Sequence, residues 1–422
     1  MTIADMAIVA ALVFAWGTLS ARLERFDMTA PIVFTAAGLL LTHGPLAPLA
    51  VTPSGEVVKV LAEVTLALVL FSDASRIGWR HLRADLGLYA RLLGAGLPLT
   101  IGLGTLLALT LLGGNIWLAL LVGAALAPTD AALGATMMVN PAVPARIRRL
   151  INVESGLNDG IATPFVWIAI AGAGTAAHEV MTGPAIALAE LALGLLIGAV
   201  VGGAGGWLVG VARRRGWASD GFAGSAVLGL AVCAYAAAVA LHGNGFIAAF
   251  AGGLAFGTAG GQGGTRLVPF VEETGATVSL LVWLMFGAVA VAPAFASLTW
   301  QMVLYAGLSL TVIRMIPVAL ALVGARLGWG AVLFVGWFGP RGLASVVFAL
   351  LALEELGAPV ARPVVAVITF TVLLSVIAHG LSADPLAKHW DDLIGPGAAA
   401  GPAQMAEVPE RRLGRRTPTT AK

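Results

Sequence analysis

Long runs of apolar residues, separated by short polar or glycine-rich stretches, extend from the start of the chain to about residue 383. A helix needs about 20 apolar residues to cross a bilayer. Glycine and asparagine favour turns, so the longest runs are divided at Gly113-Gly114 and His242-Gly243-Asn244. The pattern predicts thirteen membrane-spanning helices, at about 3–19, 29–43, 57–73, 86–111, 115–139, 150–174, 183–211, 220–241, 245–258, 274–293, 299–323, 330–353 and 362–383.

Two of these spans are interrupted near their middles. Pro128 interrupts the fifth span, and Phe338-Gly339-Pro340-Arg341-Gly342 interrupts the twelfth. Spans 1–6 and 8–13 form two six-helix halves that enter the membrane from opposite sides, with the seventh span as connector. Interrupted helices at matching positions of inverted halves are typical of transporters that bind their substrate at mid-membrane. We therefore predict an all-α polytopic membrane protein with two inverted six-helix repeats.

Composition and charge agree with a membrane location and give an orientation. Charged residues make up 11% of the chain, whereas soluble proteins carry about 25%. Arginine and lysine concentrate in the loops after odd-numbered spans and in the tail, and the loops after even-numbered spans contain only Arg362. The positive-inside rule then places the N-terminus outside and the C-terminus in the cytoplasm. We expect a transmembrane domain over 1–383, whose first helix is retained, and a disordered cytoplasmic tail over 384–422.

Polar residues sit at the break of the fifth span. Thr129 and Asp130 follow Pro128 directly, and ionisable groups at membrane depth are functional candidates. A broken helix frees backbone carbonyl and amide groups that neighbours, water or ions must satisfy. Asp130 can balance an exposed amide end, and Thr129 can offer an oxygen to a cation. The alternative is that either residue serves only as a helix cap.

The sixth span carries a second polar group. Ser155 and Asp159 are four residues apart and share one helix face, as do Glu154 and Asn158. Hard monovalent cations prefer oxygen ligands, which Asp159, Ser155 and Thr129 can supply. Because burial disfavours the charged form of a carboxylate, Asp159 can take up either a proton or a cation near neutral pH. That competition is sufficient to couple two opposite fluxes.

Glu154 requires a buried partner, because two unpaired acids on one membrane helix are costly. Arg314 in the eleventh span is the favoured partner, and Arg341 then neutralises helix-end carbonyls. Arg341 is the alternative partner of Glu154. Asp73, at the end of the third span, lines a cytoplasmic funnel or pairs with Arg76.

These motifs resemble those of one transporter family. Ala127-Pro128-Thr129-Asp130 and Glu154-Ser155-Gly156-Leu157-Asn158-Asp159-Gly160 are similar to segments of the bacterial and archaeal sodium/proton antiporters of the monovalent cation:proton antiporter-1 family. Phe338-Gly339-Pro340-Arg341-Gly342 and Leu70-Phe71-Ser72-Asp73-Ala74 resemble their twelfth-helix and third-helix motifs. Two positions depart from the family pattern: Ala131 replaces a frequent proline, and Asp73 stands where many members carry glutamate.

The resemblance implies a homodimer that works by elevator-type alternating access. Helices 4–6 and 11–13 form a mobile core in which the broken helices cross, and helices 1–3 and 7–10 form a dimerisation scaffold. The cation is held by Thr129, Asp130, Ser155 and Asp159, with Asn158 organising the site and Glu154 paired with Arg314. Since related electrogenic exchangers place a second aspartate where Asn158 stands, we expect electroneutral 1:1 exchange.

The expected function is therefore exchange of Na⁺ or Li⁺ for H⁺ across the inner membrane. Potassium/proton exchange and an electrogenic relative are alternatives within transport, and a cation channel is a more distant one. An enzyme is disfavoured, because Ser155 lacks a Gly-x-Ser-x-Gly context and the six histidines are scattered. Cys233 is the single cysteine. We expect no cofactor and no nucleic-acid partner; membrane lipids, the cations and protons are the expected partners.

Overall fold

The computed structural model describes residues 3–23, 28–43, 55–76, 85–130, 133, 143–178, 184–261, 264 and 266–388. Within these residues the regular structure is entirely helical. The helices are α1 (Ile3–Leu23), α2 (Ala30–His43), α3 (Gly55–Ser75), α4 (Leu86–Leu111), α5 (Ile116–Ala125), α6 (Ala145–His178), α7 (Pro184–Arg214), α8 (Asp220–Ala240), α9 (Gly245–Ala259), α10 (Val268–Ala296), α11 (Trp300–Leu310), α12 (Val312–Ala321), α13 (Trp329–Trp337), α14 (Leu343–Leu356) and α15 (Ala358–Lys388).

Seven helical segments of the described chain are long and apolar enough to cross a membrane, judged by length and composition. They are Asp5–Leu23, Leu86–Leu111, Leu188–Arg214, Gly221–Ala240, Val268–Ala296, Trp300–Ala321 and Ala358–Ala383. Helices α2, α5 and α9 are apolar but shorter. The prediction of an all-helical polytopic membrane protein agrees with this architecture.

Three helices extend beyond the ends that the sequence predicted, and near two of these ends a charged side chain is paired. Helix α6 begins at Ala145, so its three arginines lie in the first turns rather than in a loop, and Arg146 Nη2 lies 2.8 Å from Asp85 Oδ1. Helix α10 begins at Val268 rather than near 274, and Glu272 there is paired with Arg76. Helix α15 continues to Lys388, which shortens the predicted tail. The remaining tail, 389–422, lies outside the described residues.

Three interruptions are absent from the sequence prediction. The predicted eleventh span is divided into α11 and α12 at Thr311, whose φ and ψ are −112° and −90°. Helix α4 contains a π-helical turn over Leu92–Gly96, and α10 contains another over Gly287–Val291. Such π-helical turns often occur at functional positions in proteins.

Close backbone contact joins α7 to α9. Gly194, Gly198 and Gly202 recur every four residues on α7, and a β-carbon at any of them would overlap a backbone carbonyl of α9 or of the residue before it. Small residues at this spacing allow membrane helices to approach closely. Helix α6, which carries the candidate site, packs against α3, α5, α7, α9 and α14. The polar residues of α6 are therefore surrounded by helices on several sides.

Candidate functional site

The two interrupted segments meet and satisfy each other's backbone groups. Helix α5 ends at Ala125, three residues before Pro128, and its terminal carbonyl accepts a hydrogen bond of 2.6 Å from Ser345 Oγ on α14. In return, the backbone N–H of Asp130 donates to the Pro340 carbonyl at 2.8 Å. The Asp130 carboxylate accepts from the backbone N–H of Leu343, the first residue of α14, at 3.3 Å. An acid at this helix start is stabilised by the exposed amides and the helix dipole. The remaining part of the predicted fifth span, apart from residue 133, lies at 131–132 and 134–139, outside the described residues.

Glycines in the twelfth-span break allow this approach. A β-carbon at Gly342 would overlap the Asp130 side chain. At Gly339 it would lie 2.7 Å from Arg314 Nε and 3.0 Å from Thr129 Cγ2. Both positions therefore require the absence of a side chain, because two chain segments pass where it would stand.

Arg341 neutralises the carbonyl ends at these breaks. Its side chain is fully buried, and its Nη1 donates to the carbonyls of Ala127 and Gly339, each at 3.3 Å. Its Nη2 donates at 2.9 Å to the Ser309 carbonyl, beside the interruption between α11 and α12. A cation near helix C-termini is favourable because the exposed carbonyls carry partial negative charge. One guanidinium thus binds three interrupted segments.

Ser155 and Asn158 connect α6 to the fifth-span break. Ser155 Oγ donates to the Thr129 carbonyl at 2.6 Å, and Asn158 Nδ2 donates to Thr129 Oγ1 at 2.7 Å. Asn158 is fully buried, and its Oδ1 accepts no hydrogen bond from the described residues. These contacts bring a carbonyl, a hydroxyl and an amide together in one buried place.

Asp159 adds a carboxylate on the same helix face. It lies one turn after Ser155 and follows Asn158 directly, and the residue as a whole is 9% exposed. Its backbone carbonyl accepts a hydrogen bond from Thr163 Oγ1 at 2.8 Å. The structure therefore places Thr129, Ser155 and Asn158 in direct contact, with Asp159 beside them and Asp130 at the start of α14.

Glu154 lies on another face of α6 and forms a buried ion pair. Its Oε1 is 2.7 Å from Arg314 Nη2, and both side chains are 2% exposed. The sequence left two candidate partners for Glu154. Arg314 is the one that pairs with it, whereas Arg341 binds backbone carbonyls. The pair ties α6 to α12 next to the interruption at Thr311.

Asp73, near the end of α3, lies close to the same helix. A β-carbon at Gly156 would lie 3.5 Å from Asp73 Cβ, so the missing side chain lets Asp73 approach α6. The guanidinium of Arg76 is bound to Glu272 through two nitrogen–oxygen contacts, of which Nη1 to Oε1 measures 3.0 Å. Arg76 is therefore paired with Glu272 on α10, whereas the sequence had suggested Asp73 as its partner.

Four polar residues around the breaks were missed by the sequence reasoning: Ser309, Ser345, Ser375 and His379. Ser375 Oγ accepts from the backbone N–H of Arg341 at 2.7 Å, and His379 contacts the carbonyl of Trp337 at 2.8 Å. The i, i+4 spacing of Ser375 and His379 within an apolar span was the available signal.

The arrangement offers oxygen ligands and one titratable carboxylate in a buried place between interrupted helices. That chemistry suits a small monovalent cation and a proton. No group of three or more histidine, cysteine, aspartate or glutamate side chains able to hold a metal ion occurs among the described residues. The polar backbone exposed by the breaks is satisfied by buried side chains, as the low-dielectric surroundings require.

Comparison with known proteins gives consistent matches. A family model described as "Sodium/hydrogen exchanger, transmembrane" matches residues 8–389. A K(+)/H(+) antiporter NhaP of Alkalimonas amylolytica is 26% identical over 337 residues, covering 79% of this chain and 58% of that protein. A K(+)/H(+) antiporter NhaP2 of Shewanella baltica (strain OS223) is 24% identical over 381 residues, covering 88% and 64% respectively. The chain thus spans about three fifths of the length of these curated relatives.

Solved structures share the fold. The sodium proton antiporter MjNhaP1 from Methanocaldococcus jannaschii at pH 8 superposes with a TM-score of 0.76 at 18% identity, covering 93% of this chain and 99% of that one. An electron-microscopy structure of the same antiporter gives a TM-score of 0.67 at 19% identity, with 94% and 100% covered. The helical architecture described above is therefore the fold of that antiporter.

Proposed function

Because the chain belongs to the sodium/hydrogen exchanger family, we propose that it exchanges a monovalent cation for a proton across a membrane. The observation that carries the proposal is the pair of contacts made by Thr129. Its carbonyl accepts from Ser155, one turn before Asp159, and its hydroxyl accepts from Asn158, directly before Asp159. Carbonyl, hydroxyl and carboxylate oxygens are the ligands that hard cations prefer. The family and the fold are those of transporters rather than enzymes.

Asp159 is the coupling group in this proposal. Its ionised carboxylate binds the cation together with oxygens of Thr129 and Ser155, and a proton that binds Asp159 releases the cation. Asn158 donates its amide N–H to the Thr129 hydroxyl oxygen and so fixes the position of that oxygen. Asp130 contributes by keeping the break closed against α14. Because one carboxylate cannot hold both ligands, each crossing carries either the cation or the proton.

The proposed architecture is thirteen crossings in two inverted six-helix repeats, with α4–α6 and α11–α15 as a moving core. The reciprocal contacts between the two breaks support this, since equivalent helices of inverted repeats meet at the substrate site. Helices α1–α3 and α7–α10 form the scaffold and dimer interface of the proposal. Asp73, which contacts α6 from the scaffold, lies at the cytoplasmic entrance. We place the protein in the inner membrane as a homodimer, with its N-terminus outside and its C-terminus in the cytoplasm.

Sodium or lithium is the proposed cation, on the resemblance of the site motifs to sodium/proton antiporters. Potassium is the second candidate, because the two curated relatives are named K(+)/H(+) antiporters. Purified protein in vesicles carrying a pH-sensitive dye distinguishes them when each chloride salt is added separately between pH 6 and pH 9. Dequenching by sodium and lithium at lower concentrations than potassium is the expected result, and the reverse order assigns potassium exchange.

Electroneutral 1:1 exchange is proposed because Asn158 occupies the place beside the carboxylate where a second acid would add a second proton. The exchange rate should then stay the same when the membrane potential is clamped at different values. A rate that changes steeply with voltage would indicate net charge movement.

The Asp159→Asn variant tests the function as a whole. The amide keeps the shape of the side chain but neither ionises nor binds a proton, so exchange should fall to the level of empty vesicles. Reconstituted protein must match the parent in yield and in gel-filtration profile for the comparison to hold. Sodium-driven or potassium-driven dequenching by this variant at the parent rate refutes the assignment.

A further inference from the structure

A buried histidine on α15 binds the end of the helix that leads into the twelfth-span break. His379 Nε2 lies 2.8 Å from the carbonyl of Trp337, the last residue of α13, and the ring of Trp337 lies against it at 5.1 Å between centroids. Trp337 Nε1 also donates to Ser382 Oγ at 3.0 Å. Three contacts therefore attach the end of α13 to α15.

The other side of the imidazole reaches the far side of the same break. Nδ1 lies 2.9 Å from the Ser375 carbonyl and 3.1 Å from Ser375 Oγ, and the Oγ accepts a hydrogen bond from the backbone N–H of Arg341 at 2.7 Å. His379, Ser375 and Arg341 are each fully buried. The contacts thus connect residue 337 to residue 341 across the break through two side chains of α15.

Each ring nitrogen of His379 lies close to a backbone carbonyl. Nε2 faces the Trp337 carbonyl at 2.8 Å and Nδ1 faces the Ser375 carbonyl at 2.9 Å, and a carbonyl only accepts. In either neutral tautomer the ring donates to one of these carbonyls while its other nitrogen stays beside the second, and Ser375 Oγ accepts from the backbone N–H of Arg341. The connection therefore reaches both ends of the break.

Resting on the function proposed above, we propose that His379 is a positioning residue for cation binding. The break that it holds is the one against which Asp130 is seated, through the Pro340 carbonyl and the Leu343 amide. A shift of this segment moves Asp130, and with it Thr129 in the adjoining break. His379 itself touches neither Asp159 nor Thr129 in any described contact, so it acts through Trp337 and Ser375.

The test compares His379→Leu with His379→Gln in vesicles, with Asp159→Asn as the inactive reference. Leucine cannot donate to Trp337, whereas the glutamine amide can. Loss of a buried hydrogen bond predicts an apparent KM for the cation about tenfold higher in His379→Leu, with the maximal rate within about twofold. His379→Gln should stay within about threefold of the parent KM by the same argument. His43→Leu, an exposed histidine at the end of α2, is the matched control and should change neither value.

Ser375→Ala provides a smaller perturbation in case His379→Leu lowers the yield. It leaves the buried Arg341 amide without its acceptor and should also raise the apparent KM. Hydrogen–deuterium exchange of the amides between 339 and 343 should be faster in both variants than in the parent. An unchanged KM, equal damage by leucine and glutamine, or unchanged amide exchange overturns the positioning role. A parent protein that exchanges no cation overturns the proposed function instead, while the amide exchange still judges the role of His379.

Discussion

Removal of one partner from the Glu154–Arg314 pair should destabilise the protein strongly. The Glu154→Ala variant leaves the Arg314 guanidinium, 2% exposed, without its counter-charge. With charge centres about 4 Å apart and an effective dielectric constant of about 20, the lost attraction is about 4 kcal/mol. That agrees with the cost of about 3–5 kcal/mol that is typical when a buried pair is broken.

The size of this effect can be measured by thermal unfolding in detergent. On the entropy scale of soluble proteins, about 4 kcal/mol over the helical part of this chain corresponds to a melting temperature lower by about 6 °C. A double variant, Glu154→Leu with Arg314→Met, removes both charges and should recover much of the loss, because neither ion remains buried alone.

A matched control comes from an exposed pair in the same protein. Lys59 Nζ lies 2.5 Å from Glu355 Oε1, but the two side chains are 38% and 30% exposed. Exposed pairs contribute about 0–1 kcal/mol, so Glu355→Ala should lower the melting temperature by only about 1 °C. If Glu154→Ala has the same melting temperature as the parent, or if Glu355→Ala lowers the melting temperature as much as Glu154→Ala does, burial of the Glu154–Arg314 pair does not set its contribution to stability.

Two further substitutions test the geometry of the breaks. Gly342→Ala should displace Asp130 and abolish exchange while the protein still folds. Gly380→Ala adds a β-carbon that meets no atom within 4 Å, so it should leave exchange unchanged. Vesicle exchange by Gly342→Ala at the parent rate contradicts the close approach of Asp130 to Gly342. Thr129→Val removes the hydroxyl that accepts from Asn158 and should raise the apparent KM for the cation about tenfold or more. Thr129→Ser keeps that hydroxyl and should stay near the parent, so equal damage by both variants argues against a role for the oxygen.

The two breaks of the fold were predictable because proline and glycine cause them directly. Pro128 has no N–H, and the residue before a proline avoids helical geometry, so α5 ends at Ala125. Gly339 and Gly342 flank Pro340 in the second break. The shared face of Ser155 and Asp159 follows from helical periodicity alone.

The rest of the site depends on which segments cross, and no local pattern contains that information. Arg314 and Arg341 are both buried cations in apolar spans, and their roles differ only through the segments that each one meets, Glu154 for Arg314 and backbone carbonyls for Arg341. Pro317 was a sign of irregularity in the span of Arg314, although the helix is interrupted six residues upstream of it. The connection from His379 to Arg341 joins two spans, so sequence spacing could suggest Ser375 with His379 but not their partner.

The position of Arg341 restricts the ways in which the protein can change conformation. Its guanidinium holds carbonyls that belong to three separate stretches of chain, at Ala127, Ser309 and Gly339. Sliding any one stretch past the others would strip a buried charge of its acceptors, a change that costs several kcal/mol per ion. The cheaper route keeps all three in fixed relation, so we expect these stretches to move as one body in the proposed exchange cycle, with the deformation confined to the loops around them.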